Sequence, residues 1–135
     1  MNYDAIADHS GESGICIRAT VLDQGVLITA VDPRYVVITS LRNGTRCQLP
    51  ASAYLALAEA ADELHKAASA RPHRPVHHVQ RIMVCLQPDG YLEVKIAGDR
   101  RGVKLTDPEF LSLADNPRHV ITKSYELGMA LAHFG

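Results

Sequence analysis

The feature that most constrains this chain is a pattern it carries twice. Shifted by 56 positions, the segment over 26–60 lies without a gap on the segment over 82–116. Tyr35 falls on Tyr91, Leu49 on Leu105, Leu55 on Leu111, Leu57 on Leu113 and Ala58 on Ala114. Conservative partners fill the intervals: Val26 with Ile82, Ile28 with Val84, Ile38 with Val94, Tyr54 with Phe110. The turn agrees in kind, Asp32-Pro33-Arg34 against Pro88-Asp89-Gly90. Five identities in 35 aligned positions would carry little by themselves. Apolar pattern, turn and helix start coincide under one offset, however, and that coincidence points to a duplicated structural unit.

Local periodicity gives each unit its elements. Alternating, β-branched residues predict strands over 15–22, 26–31, 35–41 and 45–49. Asp23-Gln24-Gly25 is a turn, Asp32-Pro33 interrupts a ladder because proline has no N–H, and Asn43-Gly44 signals a two-residue type I′ hairpin. Over 51–69 the period becomes helical: Leu57, Ala61, Leu64 and Ala68 share a face, with Glu59, Asp62, Glu63 and Lys66 turned away. The prolines of ARPHRPVHH end that helix and mark a linker. The second unit repeats the plan with one strand over 76–86, a turn at 87–90, strands over 91–96 and 103–105, and a basic loop over 98–102. Thr106-Asp107-Pro108-Glu109 is a capping box opening a short helix that stops at Asn116-Pro117. A last helix over 118–133 carries Val120, Leu127, Leu131 and Phe134 on one stripe. The expected fold is α+β: two related antiparallel sheet-plus-helix halves, ββββα then βββαα, in one pseudo-symmetric domain. Its parts are a flexible tail (1–14), a first half (15–70), a linker (71–76) and a second half (77–135).

Composition bounds the function classes. No run reaches the roughly 18 apolar residues of a membrane helix, and the acidic N-terminus lacks the pattern of a secretory signal. Cys16, Cys47 and Cys85 are odd in number and set in apolar or β-like contexts, as suits buried free thiols in a reducing compartment. The expectation is a cytoplasmic protein that does not engage a membrane. Net charge is −1, yet residues 71–104 hold seven Lys/Arg against three Asp/Glu, between two acidic flanks.

Residues Gly90 to Leu113 carry a resemblance. Arg101-Gly102-Val103-Lys104-Leu105-Thr106, following a strand and a basic loop and leading into a helix with Phe110 and Leu113, resembles the positive cofactor four type of single-stranded-DNA-binding transcriptional coactivator. The equivalent stretch of the first half, Thr45-Arg46-Cys47-Gln48-Leu49-Pro50, departs from it, with no glycine and with Pro in the cap position. The resemblance implies a four-stranded unit that dimerises through helices and binds single strands along its sheets. For this chain it implies a fused dimer, with Arg100, Arg101 and Lys104 as phosphate contacts.

The residues themselves allow several chemistries. Single-strand binding needs a positive groove and aromatic faces for bases. Arg81, Lys95, Arg100, Arg101 and Lys104 supply the first, and Tyr91 and Tyr35, at equivalent strand starts, supply the second. The same charges on a solvated sheet edge would simply prevent aggregation. His73, His77 and His78 lie close in sequence, but neighbours on a strand face opposite ways, so no metal site is expected. No phosphate loop, nucleophile elbow or HExxH motif is present, which argues against an enzyme and implies no cofactor. The reading is a non-enzymatic module for single-stranded DNA or RNA with a transcription-related role, acting as a fused-dimer monomer or a homodimer. The alternative is a regulatory protein-interaction module, with a partner such as the transcription machinery, docking through a sheet edge or the C-terminal helix with Ile121, Tyr125, Gly128 and Ala132.

Overall fold

Alternating apolar residues bury one face of each strand run, and the chain answers with two antiparallel sheets. The computed structural model describes residues 7–9, 17–32, 34–115 and 117–123. One sheet is a meander of β1 (Ala7–His9), β2 (Ile17–Asp23), β3 (Val26–Asp32), β4 (Tyr35–Ser40) and β5 (Arg46–Pro50), in that order. The other holds β6 (Val76–His77), β7 (Ile82–Leu86), β8 (Leu92–Ile96) and β9 (Val103–Leu105), also in chain order. Between them in sequence lie α1 (Ala51–Glu59) and α2 (Ala61–Ala70). The helix α3 (Asp107–Ser112) follows β9, and a helical run over 117–123 closes the described chain. The fold is α+β, as the segregated strand and helix patterns require.

Most of the pairing repeats under the shift of 56. Ile28 pairs with Ile38 and Val84 with Val94; Val36 pairs with Leu49 and Leu92 with Leu105. The first hairpin of each set differs. Val21 pairs with Ile28, but His77 pairs with Met83 rather than Val84, one residue out of step. A slip of one exchanges the two faces of a strand. Here it turns Val76 toward the core and leaves His77 exposed.

The inner faces share one core. Val26, Ile28, Val36, Ile38 and Leu49 from the first sheet join Ile82, Val84, Leu92, Val94 and Leu105 from the second, with Tyr54, Leu57, Leu64, Phe110 and Leu113 from the helices. Polar bonds close the seam beside it. The Lys104 amide donates to Thr45 Oγ1 at 2.8 Å, and Asn43 Nδ2 donates to the Lys104 carbonyl at 3.1 Å. Side chains of the 41–45 loop thus satisfy backbone groups on the outer edge of β9, which would otherwise be an open template. Glu109 completes the capping box and is itself buried, with Arg42 Nε 3.3 Å from its Oε2.

Several expectations are corrected. The single helix over 51–69 is two, because Ala60 leaves the helical region at φ −104°, ψ 11°. No breaker stands there; α1 packs on β4 and β5, while α2 packs on β6, β7 and α3, and the chain turns to serve both. The expected strand over 76–86 is interrupted by a 3-10 turn (Val79–Arg81), so the second half has four strands, not three. Gln80 (φ 58°) and Arg81 (φ 65°) make that turn without glycine. Contacts from other elements hold it: Ser52 Oγ donates to Gln80 Oε1, and Arg81 Nη2 donates to the Ala97 carbonyl at 2.7 Å. The type I′ geometry sits at Gln24 (φ 48°) and Gly25 (φ 83°), whereas in the 41–44 loop only Gly44 takes positive φ, with Asn43 Oδ1 accepting from the Thr45 amide. Within the expected tail, Ala7–His9 is a strand that pairs with the free edge of β2; the rest of 1–14 lies outside the described residues. So do Cys16, Tyr125, Leu127, Gly128, Leu131, Ala132 and Phe134. Val120 and Ile121 pack against the core.

A Cβ at Gly102 would collide with the Val94 carbonyl oxygen and with Lys95 Cβ, whereas one at Gly44 meets nothing. Gly102→Ala is expected to cost about 2–3 kcal/mol, the upper part of the range for overpacking a well-packed site. Gly44→Ala should cost only about 1 kcal/mol, for its left-handed φ. Urea denaturation midpoints check the order; equal shifts would contradict the close approach of loop and strand.

Candidate nucleic-acid interface

The outer face of the second sheet collects what the alternation of β7, β8 and β9 turns away from the core. Ladder partners set its rows. His77, Met83 and Lys95 form one, and Cys85, Glu93 and Lys104 form the next. All but exposed His77 are half-buried. A shallow concavity of about 190 Å³ lies on this face, lined by Pro75, Met83, Cys85, Gln87, Glu93 and Lys95.

The expected contacts divide into groups. Arg81 and the loop bearing Arg100 and Arg101 meet at one end of the sheet, where the Arg81 guanidinium bonds the Ala97 carbonyl. Lys95 stands in the adjoining row, paired across the ladder with Met83. Arg81, Arg100 and Arg101 are exposed, and none of these four cations has a carboxylate partner among the described residues. Lys104 is engaged: its Nζ lies 2.8 Å from Asp89 Oδ2. Arg101 is near enough for its charge to be felt at Lys104. The tyrosines do not join them. Tyr91 precedes β8 at the opposite end, half-buried, and its amide donates to Asp89 Oδ1. Tyr35 belongs to the first sheet, where the Arg34 guanidinium covers its ring at 5.8 Å from the centroid. Tyr91 is thus apart from the cations of the 98–102 end, sharing Asp89 with Lys104 alone, and Tyr35 lies on the other sheet.

Sequence reasoning passed over the residues that interrupt the positive charge. Glu93 lies between Lys95 and Lys104 on the same face, with both carboxylate oxygens bonded: Gln87 Nε2 donates to Oε1 and the Gly102 amide to Oε2, each at 3.2 Å. Strand alternation in Tyr91-Leu92-Glu93-Val94-Lys95 carried that signal. The Asp89–Lys104 pair depended on a turn folding back over β9, and no local pattern announces it. Among the described residues no three His, Cys, Asp or Glu converge on a point, and no helix is long and apolar enough to cross a membrane. Comparison of the chain with protein-family models, with curated proteins and with solved structures gave no match.

The two described thiols differ in setting. Burial first, then the carboxylates of Asp99 and Glu93, push the Cys47 thiol up to about 12, against a lowering backbone bond at Ile96. Cys85 is raised by burial and by Glu93, with Lys95 opposing, but it stands half-exposed on the outer face. In the folded protein iodoacetamide is expected to modify Cys85 slowly and Cys47 hardly at all. Peptide mass spectrometry reads both, and equal rates would contradict the burial of Cys47.

Lys104 donates to Asp89, and with the Tyr91 amide it holds that carboxyl below its ordinary value; the same bond raises Lys104. The lowered carboxyl contributes stability above its unfolded pKa, and this is lost as pH falls through the depressed folded value. The raised amine contributes below its own unfolded pKa, and loses that contribution as pH rises through the folded one. An NMR titration is expected to place the Asp89 midpoint below that of an ordinary aspartate. Lys104→Ala should return it most of the way, and an unmoved midpoint would assign the effect to the Tyr91 amide instead.

Proposed function

We propose that this chain is a non-enzymatic module that binds single-stranded nucleic acid, with the second sheet as its contact surface. The observation that carries the reading is the gathering of Arg81, Lys95, Arg100 and Arg101 at one end of that sheet, free of carboxylate partners among the described residues. Unpaired cations on a firm backbone can replace the counterions of a phosphate chain, which is the main source of affinity for such ligands. A transcription-related role follows from the likeness of Arg101–Thr106 to the coactivator motif. The matched ladders of the two halves support the fused-dimer part of the reading, in which one chain supplies both units.

Docking of a protein through the C-terminal helix has less support, since Val120 and Ile121 pack partly against the core.

Fluorescence anisotropy with a labelled single strand, at about 50 and 200 mM salt, tests the reading. Binding is expected to favour the single strand over duplex and to weaken steeply with salt. Replacing Lys95, Arg100 and Arg101 together by Ala should make the slope of log affinity against log salt shallower by about 2, at roughly 0.7 for each phosphate no longer neutralised. An unchanged slope would remove the cations from the interface.

A further inference from the structure

A carboxylate in the middle of a phosphate-binding face repels the ligand unless it meets something other than phosphate. Glu93 is in that position, flanked by Lys95 and Lys104 and bordering the concavity over Met83 and Cys85. At about 190 Å³ the concavity is smaller than the roughly 300–1,000 Å³ of a drug- or cofactor-sized site. It admits one ring system rather than a whole cofactor. Its floor is made of two sulfur-bearing side chains two residues apart on the outer face of β7, and polarisable sulfur packs well against an aromatic ring. Lys95, on the same lining, stands beside it for a phosphate.

The hydrogen-bonding capacity of the rim narrows the choice of ring. Gln87 and the Gly102 amide each take up one site on a Glu93 oxygen. An ionised carboxylate has about four such sites, so each oxygen keeps one. A partner that uses both sites presents two adjacent donors. On the exposed Watson–Crick edge of an unpaired base, guanine offers N1–H and N2–H side by side. Cytosine and adenine offer an exocyclic amine beside an acceptor, and the single N3–H of thymine or uracil is flanked by two carbonyls that a carboxylate repels.

We infer that this concavity is a base-reading subsite, in which Glu93 accepts two hydrogen bonds from an unpaired guanine seated on Met83 and Cys85. The inference rests on the single-strand reading above. It assigns that reading a sequence preference and gives the acidic residue on the basic face a purpose.

The test compares a 12-nucleotide oligothymidine with the same strand carrying one central guanine, together with the uridine-based RNA pair. The guanine strand is expected to bind about tenfold more tightly, the scale of one well-placed bidentate base contact. Glu93→Gln should abolish that ratio, since an amide has one acceptor oxygen and its NH2 end would face a guanine donor. A variant that tightens both strands equally and keeps the ratio would show Glu93 to be only a repulsive charge, and would overturn the inference. Equal wild-type affinity for the two strands would overturn it while leaving the single-strand reading standing; no binding of either strand would overturn both. A second measurement needs no substitution. Iodoacetamide modification of Cys85, followed by peptide mass spectrometry, should be slowed by the guanine strand and not by oligothymidine at equal occupancy. Equal protection by the two strands, or none, counts against the subsite.

Discussion

The structure depends on one hydrophobic core that neither half owns. Each sheet turns an apolar face inward, and the helices that follow the first sheet do not stay with it. The helix α1 covers β4 and β5, then the chain bends at Ala60 and α2 crosses to β6, β7 and α3. Ala61, Leu64 and Ala68 are buried by that crossing, in the same cluster as Ile82, Val84 and Phe110. A unit of some sixty residues buries a smaller share of its surface than a larger domain and is correspondingly marginal. Sharing Leu64 and Phe110 across the boundary gives both halves the interior that one lacks.

The polar seam follows from that core. Once the two sheets are brought together, the outer edge of the short strand β9 faces the 41–45 loop, and Asn43 and Thr45 bond its backbone. Glu109 becomes buried in the same step. Its charge is tolerable because the Thr106 amide and the Arg42 guanidinium both reach it, and a buried carboxylate without partners would cost several kcal/mol. Local capping and the joining of the halves thus share one side chain.

Charge on the outer face is arranged by the same geometry. Seven basic residues in the middle of the sequence do not become one positive groove. Asp89 takes Lys104, Glu93 stands among the remaining cations, and the free charge gathers near the 98–102 loop. On the proposed reading, such a surface would attract phosphates at the end of the sheet and repel them at its centre.

The sequence by itself determined most of the strands and the capping box, but not the strand Ala7–His9 or the interruption at Val79–Arg81. What it determined depends on alternation, turn chemistry and i-to-i+3 spacing, all of which act between neighbours in the chain. The shift of 56 residues carries the observed ladder partners of β3 with β4 onto those of β7 with β8. Alternation along β8 puts Glu93 and Lys95 on one face, a signal the sequence carried without its being read. Only the tertiary structure decided the break at Ala60, the glycine-free turn at Gln80 and Arg81, and the engagement of Lys104 by Asp89. In each of these the deciding partner is remote in the chain or belongs to another element: Ser52 for Gln80, the Ala97 carbonyl for Arg81, β7 for α2. Local propensity is blind to such partners, because their energy exists only after the core has brought them into contact.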